Sequence, residues 1–278
     1  AAVSSVAAVS SVAAVSSVAA VSSVAAVSSV SAVSSVAAVS SVAAVAATIV
    51  AKPPVKTEDL GKLFEKAICL AYGIEYDGKY AYGLEGPTAF VPRLTPLTAL
   101  FPKCVHTAKR GARYDFTSAS DPTVHLSAKT TKGNGKVAPQ VVGQAQPAKF
   151  CEVLGIPYTD VASLKVYLQE HITTLLPVLL SHTLDCPTIY YNDATKTLRY
   201  ITLKEGATIP WASYTYSWSC PAATWANSSV VKLVGADGKA IPLMEVQFHS
   251  KSRTNMAVRW SFEEFLVLFK DYLVIVAL

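Results

Sequence analysis

The chain has 278 residues and a formal charge of +5. That surplus is compatible with a polyanionic partner but does not by itself demand one. Its five cysteines, at 69, 104, 151, 186 and 220, are odd in number, widely spaced and never arranged as CxxC. They argue against a disulfide framework or a structural zinc site, and for small core residues in a reducing, cytoplasmic setting.

Residues 1–47 contain only Ala, Val and Ser, in tandem AAVSSV units with one clear deviation at Ser31. Valine recurs every third residue. A helix would place successive valines about 300° apart and a strand would alternate them, so neither gives a buried stripe. Serine makes up about a third of the block and no aromatic or basic flank marks an interface. A membrane span and a secretory signal are both poorly supported. A hexapeptide β-solenoid has the right period but lacks its usual glycines. Residues 1–50 are expected to be a low-complexity repeat with no catalytic role. The chain does not begin with Met, as a fragment or processed product would not.

The second expected unit is a domain over 51–278, long enough for a sizeable core. AKPPVK (51–56) is a stiff linker. Thr57 can cap a helix through EDLGKLFEKAICLAYG, with Leu60, Leu63, Phe64, Ala67, Ile68 and Ala71 as its apolar stripe. Residues 73–110, rich in Gly, Pro and Tyr, are expected to be loop with short strands at most. Strands are expected near 112–116 and 123–130, and KGNGK (132–136) is a Gly-rich turn. Residues 137–154 hold short helical pieces broken by Gly143 and Pro147. Asp160 caps a helix over 161–176, with Pro177 near its end. Strands follow at 188–191, 198–203, 213–218, 228–234 and 241–249, and a helix over 261–273 begins at Ser261 with Glu263 and Glu264 in its first turn. Helices mixed with several strands define an α/β or α+β domain.

One stretch carries chemistry. In TVHLSAKT (123–130), alternation puts Val124, Leu126 and Ala128 on one face and His125, Ser127 and Lys129 on the other. If the two strands pair, Asp115 comes close to Lys129 with a hydroxyl between them. Phosphodiester hydrolysis uses such a set: a carboxylate for a hard cation and an ammonium group for developing charge. An ordinary ion pair on a hairpin, worth under about 1 kcal/mol, fits the spacing as well. Further features are Glu65 in GKLFE (61–65), the run AKTTKGNGKVAPQVVGQ (128–144), and MEVQFHSKSRTNMAVRW (244–260). The last carries His249, Lys251, Arg253, Asn255 and Arg259, residue types that contact phosphates and base edges. Lys132 and Gln144 belong to the same DNA-contacting set. Glu245 is either a partnered buried carboxylate or part of a base-reading surface. KTTKGNGK is not a Walker A loop, because Val137 follows Lys136. The five histidines show no metal spacing, and WASYTYSW (211–218) alternates as a packed sheet strand would.

From about residue 57 to 270 the chain resembles the type II restriction endonucleases of the PD-(D/E)xK nuclease superfamily. The G-x-x-x-E helix, the lone Asp, the x-x-K strand and the E-x-Q-x-H…R…R-W segment occur in that family's order. The resemblance implies a restriction-endonuclease-like fold with a central mixed β-sheet flanked by helices. It implies Mg2+-dependent cleavage of double-stranded DNA leaving a 5′-phosphate, usually by a homodimer, with any cognate DNA methyltransferase on a separate chain and no membrane partner. It makes Asp115 the metal-binding aspartate, Lys129 the lysine that positions water and phosphate, and Glu65 an accessory metal-binding glutamate. Ser127 is a departure, since a carboxylate usually stands two residues before the lysine. Neutral serine is a poor ligand, and the Ala128 carbonyl, Glu65 or Gln144 would have to supplement it. A repair or junction-resolving nuclease and a catalytically inactive DNA-binding relative are the alternatives the resemblance leaves open.

Overall fold

The structure is a computed structural model that describes residues 57–109, 112–133, 135–249 and 254–278. The repeat and linker of 1–56 lie outside the described residues, as do Lys251 and Arg253.

The first helix, α1 (Thr57–Tyr72), forms where expected. Leu60, Phe64, Ala67 and Ile68 recur at helical spacing and all are buried. Burying a side chain of Phe64's size is worth about 1.5–3 kcal/mol, more than any propensity term in the helix. At its end the Tyr72 hydroxyl donates to the Leu97 and Phe101 carbonyls at 3.1 and 3.0 Å. Those acceptors belong to a part of the chain expected to be loop. It instead folds as α2 (Glu85–Leu94) and α3 (Leu97–Leu100). Its prolines disguise it: Pro87 occupies the first turn of α2, where its missing N–H costs little. Packing of Leu94, Leu97 and Phe101 on α1 settles the outcome.

The described strands form two sheets, the expected central mixed sheet and a second, antiparallel one. The first is mixed and contains β1 (Cys104–His106), β2 (Phe116–Ser118), β3 (His125–Thr131), β5 (Thr188–Asn192), β6 (Thr197–Leu203) and β11 (Leu273–Ala277), in the order β1-β2-β3-β5-β6-β11. Only β3 and β5 pair in parallel. That pairing requires a long crossover. The crossover carries β4 (Lys136–Val137), α4 (Pro147–Leu154), α5 (Val161–Glu170) and α6 (Ile172–Leu184). The second sheet is wholly antiparallel. It joins β4, β7 (Thr215–Trp218), β8 (Ser228–Val234), β9 (Ala240–Phe248) and β10 (Met256–Ser261) in the order β4-β10-β9-β8-β7.

Four boundaries differ from the sequence reading for identifiable reasons. The expected strand at 112–116 lies at 116–118, so Asp115 immediately precedes β2. Asp160 does cap α5, accepting from the Ser163 N–H at 2.8 Å, but the helix breaks at His171 and Pro177 falls inside α6. Pro147 starts α4 instead of breaking a helix, the position where proline fits best. The last helix, α7 (Phe262–Leu268), is short, and the β-branched run that follows pairs with β6 as β11.

The first sheet separates two cores. Leu126, Ile189, Tyr191 and Leu198 pack toward α1–α3. On the other side Tyr190 and Ile201 join the core of α4–α7 and the second sheet. Strand alternation therefore turns Ser127 and Lys129 away from α1, toward the side on which the second sheet lies.

Candidate active site

The register of β2 on β3, Phe116 opposite Leu126, brings Asp115 beside Ser127. The Thr107 N–H fixes the Asp115 backbone by donating to its carbonyl at 2.9 Å. Asp115 Oδ2 then accepts from Ser127 Oγ at 2.9 Å and from the Ala128 N–H at 2.7 Å, and lies 3.7 Å from Lys129 Nζ. The carboxylate and ammonium side chains are 19% and 21% exposed, whereas Ser127 is fully buried. The pair can thus reach a substrate while its support stays out of water, where each bond to the ionised carboxylate is stronger.

Gln140 completes the set, and sequence reasoning missed it. Its Nε2 donates to Ser127 Oγ at 2.7 Å. Its backbone N–H donates to the His182 carbonyl at 2.6 Å, which anchors the 138–142 loop to the end of α6. The signal was present in KVAPQVVGQ, but Gln144 was singled out there instead. Gln144 is exposed and Gln140 is buried.

The surrounding wall is polar. Arg113 and Tyr114 both meet Asp185 Oδ2, at 2.9 and 2.6 Å, and the Tyr114 ring stacks on His125 with centroids 3.8 Å apart. Burial pushes the Cys186 thiol up to about 12, reinforced by Asp185 and Asp115, so it is a neutral thiol rather than a nucleophile. Burial, with Arg113 nearby, holds His182 below its ordinary value and keeps it neutral.

A hard divalent cation takes one or two carboxylates together with waters and substrate phosphates. Asp115 provides a carboxylate, and Gln140 Oε1 is a buried amide oxygen with no hydrogen-bond partner. Ser127 already donates its proton to Asp115 and accepts from Gln140, and as a neutral hydroxyl it is a weak ligand beside a carboxylate. The donor set fits such a cation with a single protein carboxylate. Among the described residues no group of three His, Cys, Asp or Glu side chains gathers to hold a metal without substrate.

Glu65 is not brought to this group. Its carboxylate lies 3.3 Å from His106 Nε2, on the α1 side of the sheet. His106 Nδ1 accepts from the Asp77 N–H at 3.0 Å, which leaves its proton on Nε2, facing Glu65. Lys132 is half-buried in the turn after β3. His249 and Asn255 line a cavity of about 340 Å³ with Tyr158 and Phe248, next to the undescribed 250–253. Arg259 lies on β10. No described helix is long and apolar enough to cross a membrane.

The mixed α/β architecture, with Asp115 and Lys129 on adjoining segments of its sheet, is consistent with a restriction-endonuclease-like fold, and the sequence is similar to that of a type II restriction enzyme. The Type II restriction enzyme CviAII of Paramecium bursaria Chlorella virus 1 is 37% identical over 224 residues, which cover 77% of this chain and 61% of the viral protein. The chain therefore spans less than two thirds of that relative's length. No protein-family model and no solved structure matches the chain.

Proposed function

We propose that the chain is a Mg2+-dependent, site-specific endonuclease of the PD-(D/E)xK type that hydrolyses double-stranded DNA. The observation that carries this reading is Lys129 Nζ at 3.7 Å from Asp115 Oδ2, in a chain that is 37% identical over 224 residues to a type II restriction enzyme. Asp115 and the Gln140 side-chain oxygen Oε1 would hold the cation. Bound there, Mg2+ would supply Lewis-acid polarisation of the scissile phosphate and favour ionisation of the attacking water. Lys129 orients that water and stabilises charge developing on the phosphate. Ser127 keeps the Asp115 carboxylate aimed by donating to it. His249, Lys251, Arg253, Asn255, Arg259, Lys132 and Gln144 face the duplex, with Lys132, Lys251 and Arg253 docking it by counterion release at phosphates. The working form is a homodimer, paired with a cognate DNA methyltransferase on a separate chain, and the domain of 51–278 carries the activity without the repeat of 1–50.

Ser127, standing where a carboxylate is usual, favours one second reading: a catalytically inactive DNA-binding relative. Cleavage of duplex DNA in Mg2+, and its loss in Lys129→Ala, separates the two. Salt-sensitive binding with no cleavage in any divalent metal supports the inactive form.

A further inference from the structure

The second sheet has one apolar and one polar face, as a half-covered antiparallel sheet does. Val231, Leu233, Met244, Val246, Val258 and Trp260 enter the core. The intervening residues carry a polar array in register, with Val230 opposite Glu245 and the buried Ala257 among them. Glu245 pairs with Arg259 across β9 and β10, and Gln247 pairs with Ala257. The chain after β4 continues along the outer edge of β10, with the Val258 and Met256 N–H groups donating to the Gly143 and Ala145 carbonyls, both at 2.9 Å. That register sets Gln144 opposite Ala257, in line with Gln247. Lys136, opposite Ser261, shares the face.

The array is preorganised. Glu245 Oε2 holds Lys136 Nζ at 2.8 Å and Arg259 at 3.6 Å, and Arg259 also lies 3.5 Å from Gln247 Oε1. One carboxylate braces two cations and leaves a net positive charge. The side chains of Lys136 and Arg259 are 28% and 30% exposed, so their polar ends can exchange partners without unfolding anything. A plain cross-strand ion pair would explain Glu245 and Arg259 alone. It would not explain why Lys136 and Gln144 bracket Gln140, the residue bonded to Ser127. A single segment, 136–144, leaves this face, supports the Asp115 site and returns to the face.

We infer that this face reads base edges in the major groove of the duplex substrate, with Arg259 and Gln247 determining specificity and Glu245 and Lys136 holding them in register. Arginine matches guanine and glutamine matches adenine through paired hydrogen bonds. The inference rests on the nuclease reading above and deepens it. A base-edge contact on the face would bear on segment 136–144, and so on the Gln140 support of Ser127, which ties site reading to cleavage.

The test uses the full chain. Cleavage of a sequence-diverse duplex first defines the preferred site. The kcat/KM at that site is then compared with duplexes changed at one base pair, for the unaltered protein, Arg259→Lys and Gln247→Ala. Arg259→Lys keeps the charge but removes the planar fork, and Gln247→Ala provides the same readout should Arg259→Lys fail to fold. Each is expected to lower discrimination at one base pair by about 5- to 150-fold, while cleavage of the changed duplex persists. Unchanged discrimination, or an equal loss on every duplex, overturns the inference and leaves the nuclease reading intact. No cleavage by the unaltered chain overturns both.

Discussion

Gln140 and Asp115 never touch directly, yet Ser127 links them: Gln140 donates to the serine oxygen at 2.7 Å, and the serine donates to Asp115 at 2.9 Å. With Gln140 donating to the serine oxygen, the serine proton is directed to Asp115. Asp115 therefore receives a fixed donor, and the cost of burying Ser127 is offset on both sides.

Gln140→Ala is expected to lower kcat or the apparent metal affinity by about 10- to 100-fold, the scale seen when a supporting hydrogen bond is removed. Mg2+ titration of the cleavage rate, with thermal melting to establish folding, checks it. An unchanged titration curve in a folded protein would remove Gln140 from the site.

Glu65→Gln is expected to cut DNA at close to the unaltered rate, because Glu65 faces His106 across the sheet from Lys129. Its effect should appear in the melting temperature. A drop in rate on the order of a hundredfold would return Glu65 to the metal-holding role that the family resemblance suggests.

Glu263 should make stability sensitive to acid. Burial alone would raise its carboxyl, but bonds from Arg199 at 2.6 Å, Asn192 at 2.7 Å and Tyr190 at 3.1 Å outweigh it and hold the carboxyl below its usual range. A depressed folded-state value stabilises the fold fully above the unfolded value, about 4.3, and that contribution is lost as pH falls through the folded one. The denaturant midpoint of Glu263→Gln should therefore lie below that of the unaltered protein at pH 7. The gap should close in strong acid. A gap independent of pH would contradict this account. The cluster also shapes the turn before Lys136: Gly135 has φ of +60°, and a Cβ there would come within 2.8 Å of Glu263 Cγ.

Lys132 is assigned to phosphate rather than to bases. Lys132→Ala should weaken binding to all duplexes alike and reduce the slope of log K against log salt by about 0.9. Binding titrations at several salt concentrations on two unrelated duplexes would show it. A loss confined to one sequence would place Lys132 among the base-reading residues.

Much of this was legible because local signals agreed with burial. The stripe of Leu60, Phe64 and Ile68, and the alternation through Leu126, Ser127 and Lys129, give α1 and β3 directly. The proximity of Asp115 to Lys129 followed from placing a hairpin there. What escaped depends on distant partners. Proline-rich 85–100 is helical because α1 offers it a surface. Residues 273–277 are a strand because β6 has a free edge for them. Gln140 reaches Ser127 only because the second sheet folds the 138–142 loop back over the first. Glu65 sits at the expected place in sequence order, but order does not say which face of the sheet a helix covers.

The most direct measurement is cleavage of a sequence-diverse linear duplex by the chain in Mg2+ and in EDTA, beside Lys129→Ala. The account predicts discrete fragments in Mg2+, none in EDTA, and a rate reduced about 100- to 1,000-fold in Lys129→Ala, the scale of one lost charge-stabilising donor. Equal cleavage by Lys129→Ala, or discrete fragments in EDTA, would contradict it.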